Sequence, residues 1–374
     1  MDFSQARAEA LYNPLEVKDG TTLKDYLPPD IVEMLHPHWH SFPPENPLVY
    51  YVLALIYVIG GLVSIFGNLL VLYIFLKYAT LRTPSNMLVM NLALCDLMIM
   101  VSLIPENIVS FLMGGVWQFG DAACQIHAFC GSLFGYGQIS TLVFIAYDRF
   151  NVIVRGFNAT PLTFCRVMVI LLFVWLYASF WAIGPMVGYG SYALDGIVAS
   201  CSYGYMDQSF TNTAYILGCF VAAFILPLVI IILCYFFIVR AVCAHEKGMR
   251  EQAKKMNVAS LKSNDDAQKT SAEIRIAKVA IINISLWVIA WTPFAAVCLA
   301  GVLGDQKGLT PLVTSIPALF AKTSCIYNPI IYAISHPKYR QCLQQSLPWL
   351  CINEPNKDNQ STATGATKVQ QEDA

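Results

Sequence analysis

Seven long stretches with almost no charged residues leave this chain few ways to fold. An α-helix needs about 20 mostly apolar residues to cross a lipid bilayer, and each stretch is longer than that. Charged residues make up only 13% of the chain, against about 25% in soluble domains. We therefore predict an all-α membrane protein, a seven-transmembrane-helix bundle with spans at 50–76, 87–113, 122–147, 167–187, 211–239, 279–303 and 309–335.

Basic residues predict the orientation of the bundle. They cluster in alternate connections, whereas Lys307 is the only basic residue in the three connections on the opposite side. Because basic loops stay in the cytoplasm, we expect an extracellular N-terminus and a multi-pass protein of the plasma membrane. The chain then divides into an extracellular N-terminal segment, the transmembrane domain, a short amphipathic cytoplasmic helix and a disordered tail, at 1–48, 49–335, 336–350 and 351–374.

Lys322 is the one charged residue in the seventh stretch and lies at its middle. A charge at the centre of a bilayer costs about 3 kcal/mol on insertion scales, so such residues face the bundle interior. Two interpretations remain open at this point. The ammonium group pairs with a buried carboxylate as a structural element, or the uncharged amine acts as a nucleophile toward a carbonyl compound.

Polar motifs lie on five of the predicted helices, and one alone would be typical of an interhelical hydrogen bond. The motifs are Asn68 in "FGNLLVL", Asp96 in "NLALCDL", "AYDRF" at 146–150, "AWTPF" at 290–294 and "NPIIY" at 328–332. Taken together and in this order, over residues 49–348, they resemble the class A, rhodopsin-like G-protein-coupled receptors. Lys322 lies six residues before Asn328, where opsins carry their retinal-binding lysine.

Four further stretches resemble the rhabdomeric opsins of arthropods. This resemblance implies a visual pigment, not an enzyme, that binds 11-cis-retinal as a Schiff base on Lys322 and activates a Gq-class G protein from a rhabdomeric photoreceptor membrane. The basic third loop is then a helical extension that meets the G protein, although a solvated basic face is the plainer alternative. The stretches are "HPHWHSFPPENP" at 36–47, 244–264, "AEIRIAKVA" at 272–280 and "SHPKYR" at 335–340.

The same resemblance implies roles for individual residues. Cys124 and Cys201 are the cysteines placed on the oxidising side, and we expect a disulfide between them. Arg149 is expected to pair with Glu273 in the resting state, and breaking that pair would open a cytoplasmic cleft. The retinal pocket is expected to include His127, Gly131, Trp291 and Phe294. Activation and coupling are assigned to Asp96, Asp148, Arg149, Glu273, Asn328, Pro329, Tyr332, His336, Pro337 and Lys338.

The counterion of the protonated Schiff base has two candidates. Bistable invertebrate opsins carry a glutamate six residues before the disulfide cysteine, and here that position is Asp195, whose side chain is one methylene shorter. Glu106 is the second candidate, with His127 as a possible partner, unless it faces lipid headgroups or a loop. Insect ultraviolet opsins carry an extra lysine about where Leu103 stands, and its absence here favours absorption of visible light. The resemblance to invertebrate opsins also implies a bistable pigment.

Beyond the spans, the tail offers modification sites. Cys351 is a candidate for palmitoylation and hence for contact with membrane lipid. Phosphorylation of the tail would recruit arrestin, unless the tail is only solvated, with candidate sites at Ser361, Thr362, Thr364 and Thr367. We predict no metal site and no nucleic-acid partner. A light-driven pump, a receptor for a diffusible ligand and a retinal photoisomerase remain the rival functions.

Overall fold

The structure is a computed structural model that describes residues 20–255, 265–304, 306–335 and 337–350. Several predicted sites lie outside the described residues, namely His336, Cys351, Ser361, Thr362, Thr364 and Thr367. The side chains of Glu273 and Pro337 are likewise not described, although both residues belong to helices.

The described chain is mostly helical. Two short helices, α1 (Leu23–Tyr26) and α2 (Pro29–Met34), precede the bundle. The helices of the bundle and its cytoplasmic edge follow as α3 (Pro47–Lys77), α4 (Pro84–Leu112), α5 (Gly120–Arg155), α6 (Phe164–Ile183), α7 (Phe210–Phe220), α8 (Leu226–Lys255), α9 (Asp265–Leu303), α10 (Pro311–Lys322), α11 (Ser324–Ser335) and α12 (Pro337–Ser346). A hairpin of two strands, β1 (Tyr192–Leu194) and β2 (Cys201–Tyr203), lies between α6 and α7.

Six segments of the described chain are each long and apolar enough to cross a membrane. They cover the first six predicted spans, with α7 and α8 forming the fifth span together. The seventh span is present as two helices of 12 residues, α10 and α11, each too short to count as a span by itself. The predicted seven-helix bundle is therefore confirmed, with one difference, the division of its last span.

Most spans begin at a residue that can cap a helix. A side-chain oxygen of this residue accepts a hydrogen bond from a backbone N–H of the first turn, and a proline often follows at the first helical position. Because these caps define where each span starts, the bundle begins its helices at fixed depths. The capping residues are Asn46, Thr83, Thr163, Ser209 and Thr310.

The fifth span contains a π-helical turn, Val221–Ile225, between α7 and α8. Pro227 follows this turn and has no backbone N–H, so the regular α-helical hydrogen bond to the preceding turn is missing there. A π turn accommodates such a gap by widening the helix locally. Phe220, just before the turn, and Phe224, within it, line the central cavity described below.

The end of the bundle next to the N-terminal segment is covered by two layers. The β1–β2 hairpin lies against α5, and the predicted disulfide between Cys124 and Cys201 joins the hairpin to the start of that helix, with 5.4 Å between the Cα atoms. The N-terminal segment, residues 20–46, packs over the hairpin. Its buried side chains belong to the same hydrophobic cluster as those of the hairpin, and they are Leu23, Tyr26, Leu27, Ile31, Leu35 and Trp39.

At the opposite end of the bundle, α12 follows the seventh span within the stretch predicted to be an amphipathic helix. Its apolar face packs on the first span, where the ring of Tyr339 stacks on Phe75 with 5.6 Å between centroids. Leu343 on the same face is 1% exposed. The opposite face includes the exposed residue Lys338. This division is what a helix lying at a membrane surface requires.

Candidate functional site

Lys322 is the last residue of α10, at the break in the seventh span. Thr323 is the residue between the two helices. Its hydroxyl donates a hydrogen bond of 2.6 Å to the carbonyl of Phe320 and lies 2.6 Å from the hydroxyl of Tyr327. The lysine side chain is half-buried, and its Nζ lies 5.7 Å from the centroid of the Tyr57 ring. The break therefore places the amine inside the bundle rather than toward lipid.

A cavity of about 170 Å³ opens beside Lys322 in the centre of the bundle. Two glycines on α5 leave space for it: a Cβ at Gly131 would lie 3.4 Å from the Leu103 side chain, and a Cβ at Gly135 would lie 3.5 Å from Trp291. The predicted pocket residues His127, Gly131, Trp291 and Phe294 all line this cavity. Most other walls are apolar or aromatic, including Tyr136, Tyr203, Phe220 and Phe224.

Asp195 follows β1 directly and lines the cavity together with Lys322. It is 5% exposed, and Oδ1 accepts a hydrogen bond of 2.6 Å from the hydroxyl of Ser202. Burial raises the pKa of the Asp195 carboxyl to about 6, although the Ser202 hydroxyl and the positive charge of Lys322 act in the opposite direction. Within the described part of the chain, no carboxylate oxygen lies within 4.0 Å of the Lys322 nitrogen.

Glu106 and His127 face each other between α4 and α5. His127 Nδ1 lies 2.5 Å from Glu106 Oε2, and His127 Nε2 lies 3.3 Å from the hydroxyl of Ser200. The imidazole is almost completely buried, whereas 28% of the Glu106 side chain is exposed. His127 lines the cavity and Glu106 does not. Of the two candidate counterions, Asp195 is thus the one that lines the cavity of Lys322, and Glu106 is held by another partner.

A hydrogen-bond network connects the cavity floor to Asp96. Asp96 accepts a hydrogen bond of 2.7 Å from Asn328 and a second from Gln138. Gln138 also accepts a hydrogen bond of 3.4 Å from the indole of Trp287, and its amide lies 3.2 Å from the sulfur of Cys325. Trp287 and Cys325 both line the cavity. Sequence reasoning missed Gln138, although an amide in the middle of an apolar span was a visible signal.

The end of the bundle that carries α12 holds the predicted coupling residues. Arg149 forms an ion pair with Asp148, the preceding residue. Both side chains line a small inner cavity that Asn283 and Tyr332 also border. Glu273, predicted to pair with Arg149, belongs to α9, but its side chain lies outside the described residues. Pro329 lies inside α11.

The central cavity suits an elongated apolar molecule with one carbonyl group. Its walls offer a single primary amine for condensation, and a carboxylate lines the same cavity. Aromatic side chains give the remaining walls the rigid apolar surface that binds such a molecule without hydrogen bonds. No group of three or more histidine, cysteine or acidic residues suited to a metal ion occurs among the described residues.

Comparison with known proteins agrees with this geometry. Residues 67–332 match the family model described as "7 transmembrane receptor (rhodopsin family)". The chain is 48% identical to the compound eye opsin BCRH2 of Hemigrapsus sanguineus, covering 93% of both proteins, and 42% identical to the lateral eye opsin of Limulus polyphemus, covering 94% of both. The crystal structure of squid rhodopsin superposes with a TM-score of 0.81 at 36% identity, over 90% of this chain and 97% of the squid chain.

Proposed function

The chain belongs to the rhodopsin family of seven-transmembrane receptors, and on that premise we propose that it is a light-sensing visual pigment that holds 11-cis-retinal as a Schiff base on Lys322. The observation that carries the proposal is the position of Lys322. Its amine lies at the break of the seventh span and opens into an aromatic cavity that Asp195 also lines. The compound eye and lateral eye opsins to which the chain is similar support the same reading.

Membership of the family defines the cellular context. The chain is a multi-pass receptor of the plasma membrane with a G protein as its partner, and it is a photoreceptor protein rather than an enzyme. We propose further that the N-terminus is extracellular and that the protein resides in a rhabdomeric membrane. The covered mouth of the bundle, with its disulfide, supports this orientation, because disulfides persist on the oxidising side of a membrane.

Asp195 is the proposed counterion. Its carboxylate lines the cavity of Lys322 and is oriented by the hydroxyl of Ser202. A protonated linkage on Lys322 would therefore face an anion in a buried site, where the lower dielectric constant strengthens their attraction. The shorter side chain of aspartate leaves room for a bridging water. Glu106 remains the second candidate, with its charge already directed toward His127.

Retinal supplies the light absorption, and its isomerisation changes the shape that the cavity must accommodate. Trp291 is the residue placed to respond, because its indole lines the cavity and donates a hydrogen bond of 3.2 Å to Ser324 in the seventh span. Trp291 stacks on Trp287 with 5.5 Å between ring centroids, and Trp287 reaches Asp96 through Gln138. A displacement of Trp291 therefore has a contiguous route toward Asn328 and the inner half of the bundle.

The proposed signalling partner is a Gq-class G protein. Arg149 and Tyr332 border the inner cavity, where a shift of α9 would uncover them to a partner. The run His336, Pro337 and Lys338 is the proposed contact that selects the class, and α8 continues as a helix to Lys255 in the direction of the cytoplasm. Arrestin binding to a phosphorylated tail, lipid contact through Cys351, bistability and visible absorption complete the proposal.

The test is an absorption spectrum of the purified protein after incubation with 11-cis-retinal. We expect a visible band in the wild type and none in Lys322→Ala, because the only amine lining the described cavity is then lost. Lys307→Ala is the matched control: this lysine lies in the connection before the seventh span, and its loss should leave the band unchanged. A band that survives in Lys322→Ala contradicts the proposal.

The same preparations separate the remaining alternatives. Asp195→Asn should displace the band or abolish it at neutral pH, whereas Glu106→Gln should have the smaller effect. Light-dependent nucleotide exchange on a Gq-class G protein distinguishes a visual pigment from a retinal photoisomerase, which would bind retinal without stimulating exchange. Exchange in darkness without retinal would instead identify a receptor for a diffusible ligand.

A further inference from the structure

Trp39 of the N-terminal segment lies directly on the backbone next to Asp195. The indole is 1% exposed, among the most deeply buried large side chains of the described chain. A Cβ added at Gly196 would come within 2.9 Å of the Trp39 ring, a distance that real Cβ atoms do not adopt. The ring and the peptide that follows Asp195 are therefore in direct contact, with no space for a side chain between them.

The turn under this ring is strained and closed on itself. It joins β1 to β2 through residues 195–200, with Asp195 N–H donating to the carbonyl of Ser200 at 2.9 Å and Val198 N–H donating to the carbonyl of Asp195 at 2.8 Å. Val198 has a φ of 58°, which is unfavourable for a β-branched residue. Such a conformation persists only where the surrounding structure enforces it. Val198 is 1% exposed and belongs to the same cluster as Trp39.

Trp39 is itself fixed to the bundle at a point distant from the hairpin. It belongs to the 3₁₀ turn Pro37–Ser41, and its neighbour His38 forms a hydrogen bond of 2.8 Å between Nε2 and the carbonyl of Leu309, just before the seventh span. The ring of His38 packs edge to face against Trp39 with 4.6 Å between centroids. The indole thus connects the start of the span that carries Lys322 with the turn that carries Asp195.

We propose that Trp39 is a positioning residue for the counterion: by holding the turn at residues 195–200, it sets the distance between the Asp195 carboxylate and Lys322 and thereby the absorption maximum. The inference rests on the proposed function, because it takes Asp195 as the counterion. It assigns the N-terminal segment a part in spectral tuning rather than in covering the bundle alone.

The test is a double-mutant cycle read in the absorption spectrum. Wild type, Trp39→Leu, Asp195→Asn and the double variant are each incubated with 11-cis-retinal, and all four are read at one pH at which Asp195→Asn retains a visible band. We expect Trp39→Leu to displace the band maximum in the same direction as Asp195→Asn, and we expect the double variant to show no displacement beyond that of Asp195→Asn. If Trp39→Leu leaves the maximum unchanged, or if its displacement is retained in full beside Asp195→Asn, the inference is overturned.

Tyr26→Leu is the matched control within the N-terminal segment. Tyr26 is also buried and holds the segment through a hydrogen bond of 2.6 Å from its hydroxyl to the carbonyl of Gly114, away from the 195–200 turn. Loosening the segment there should lower thermal stability but leave the band maximum in place. A displacement equal to that of Trp39→Leu would show that any disturbance of the segment moves the band, which also overturns the specific role of Trp39.

Gly196→Ala tests the same contact if Trp39→Leu does not fold. The added methyl group must push the turn away from the indole, so we expect a displaced band, and Gly196→Ala combined with Trp39→Phe should return part of the way to wild type. An undisplaced band in Gly196→Ala counts against the inference. Failure of the proposed function looks different, because the wild type itself would then show no band that depends on Lys322.

Discussion

The two halves of the bundle differ in whether their buried polar groups have hydrogen-bond partners. The outer half surrounds the central cavity of Lys322, here called the outer cavity, and the inner half surrounds the small inner cavity of Arg149. Around the outer cavity, Asp195 accepts from Ser202 and His127 contacts Glu106, so the groups beside Lys322 already have partners. Around the inner cavity, Oδ1 of Asn283 is buried with no hydrogen-bond partner among the described residues, and the same holds for the hydroxyl of Tyr235 in the neighbouring cluster.

This difference separates a rigid half from a half that can rearrange. A buried polar group without a partner costs about 1–3 kcal/mol, and a rearrangement that supplies a partner recovers that free energy. The outer half has little to gain from moving, since it is tied by a disulfide and covered by the N-terminal segment. We therefore expect ligand geometry to be fixed in the outer half and activation to occur in the inner half. Asn107 and Ser110 on α4 and the indole N–H of Trp181 on α6 are exceptions, with buried atoms that have no hydrogen-bond partner among the described residues.

The largest loss of stability is expected when the disulfide of the outer half is removed. The disulfide closes a loop with a sequence separation of 77, so Cys124→Ser should lower the free energy of unfolding by about 4 kcal/mol. Thermal denaturation followed by circular dichroism measures the loss. Hydrogen exchange should increase at the β1–β2 hairpin and remain unchanged around Arg149. Cys234→Ser, at a buried free cysteine of the inner half, is the control. Equal increases in both halves would break the comparison.

A second test uses the pH dependence of stability in the protein without retinal. The pKa of Asp195 is raised from 3.8 to about 6, so between these values the folded protein holds a proton that the unfolded chain has released. The contribution of Asp195 to the free energy of unfolding therefore falls by about 3 kcal/mol as pH rises from about 4 to about 6, and this contribution is constant above that range.

Asp195→Asn should make the slope between about pH 4 and 6 clearly shallower, because asparagine does not titrate. The measurement is thermal denaturation at a series of pH values, with Asp121→Asn at an exposed site as the control. A slope as steep in Asp195→Asn as in the wild type would place the titrating group elsewhere and would weaken the description of the outer site.

The fold was predictable from sequence because hydrophobic length and loop charge are strong, local signals. Each of the first six runs corresponds to a described helix, and the cysteine pair was identifiable from the oxidising side alone. The break after Lys322 was not predictable, because the contact between Thr323 and Tyr327 that accompanies it has no periodic signature. Run length counts apolar residues and does not register whether a helix is continuous.

The candidate site was predictable where a residue has a fixed distance from a motif. Lys322 and Asp195 were found by counting from Asn328 and Cys201, and the structure places both on one cavity. Trp39 could not be found in this way, since its contact with Gly196 joins parts of the chain that are distant in sequence. Such contacts depend on tertiary packing and leave no spacing to read.

A third test addresses the hydrogen-bond network around Asp96, which lies between the two halves. Asn328→Ala removes one of the donors to Asp96, which is buried with 0% exposure, and should lower the free energy of unfolding by about 2 kcal/mol. Because Asn328 does not line the outer cavity, the absorption maximum should stay in place while light-driven nucleotide exchange declines. Asn86→Ala, at the partly exposed start of α4, is the control. A displaced maximum would mean that the halves are not separable at this network.

The smallest effect on stability, and the sharpest test of the inner half, is expected from Asn283→Leu. Oδ1 of Asn283 has no hydrogen-bond partner among the described residues, so an apolar side chain of similar size should change the free energy of unfolding by less than about 1 kcal/mol. If Oδ1 gains a hydrogen-bond partner only in the active arrangement, light-driven nucleotide exchange should nevertheless fall. Asn91→Leu is the contrast, because Asn91 is buried with partners at Thr141 and Trp175, and its loss should cost stability. Full exchange activity in Asn283→Leu would show that the unpartnered oxygen has no part in activation, and the inner half would then differ from the outer half in packing alone.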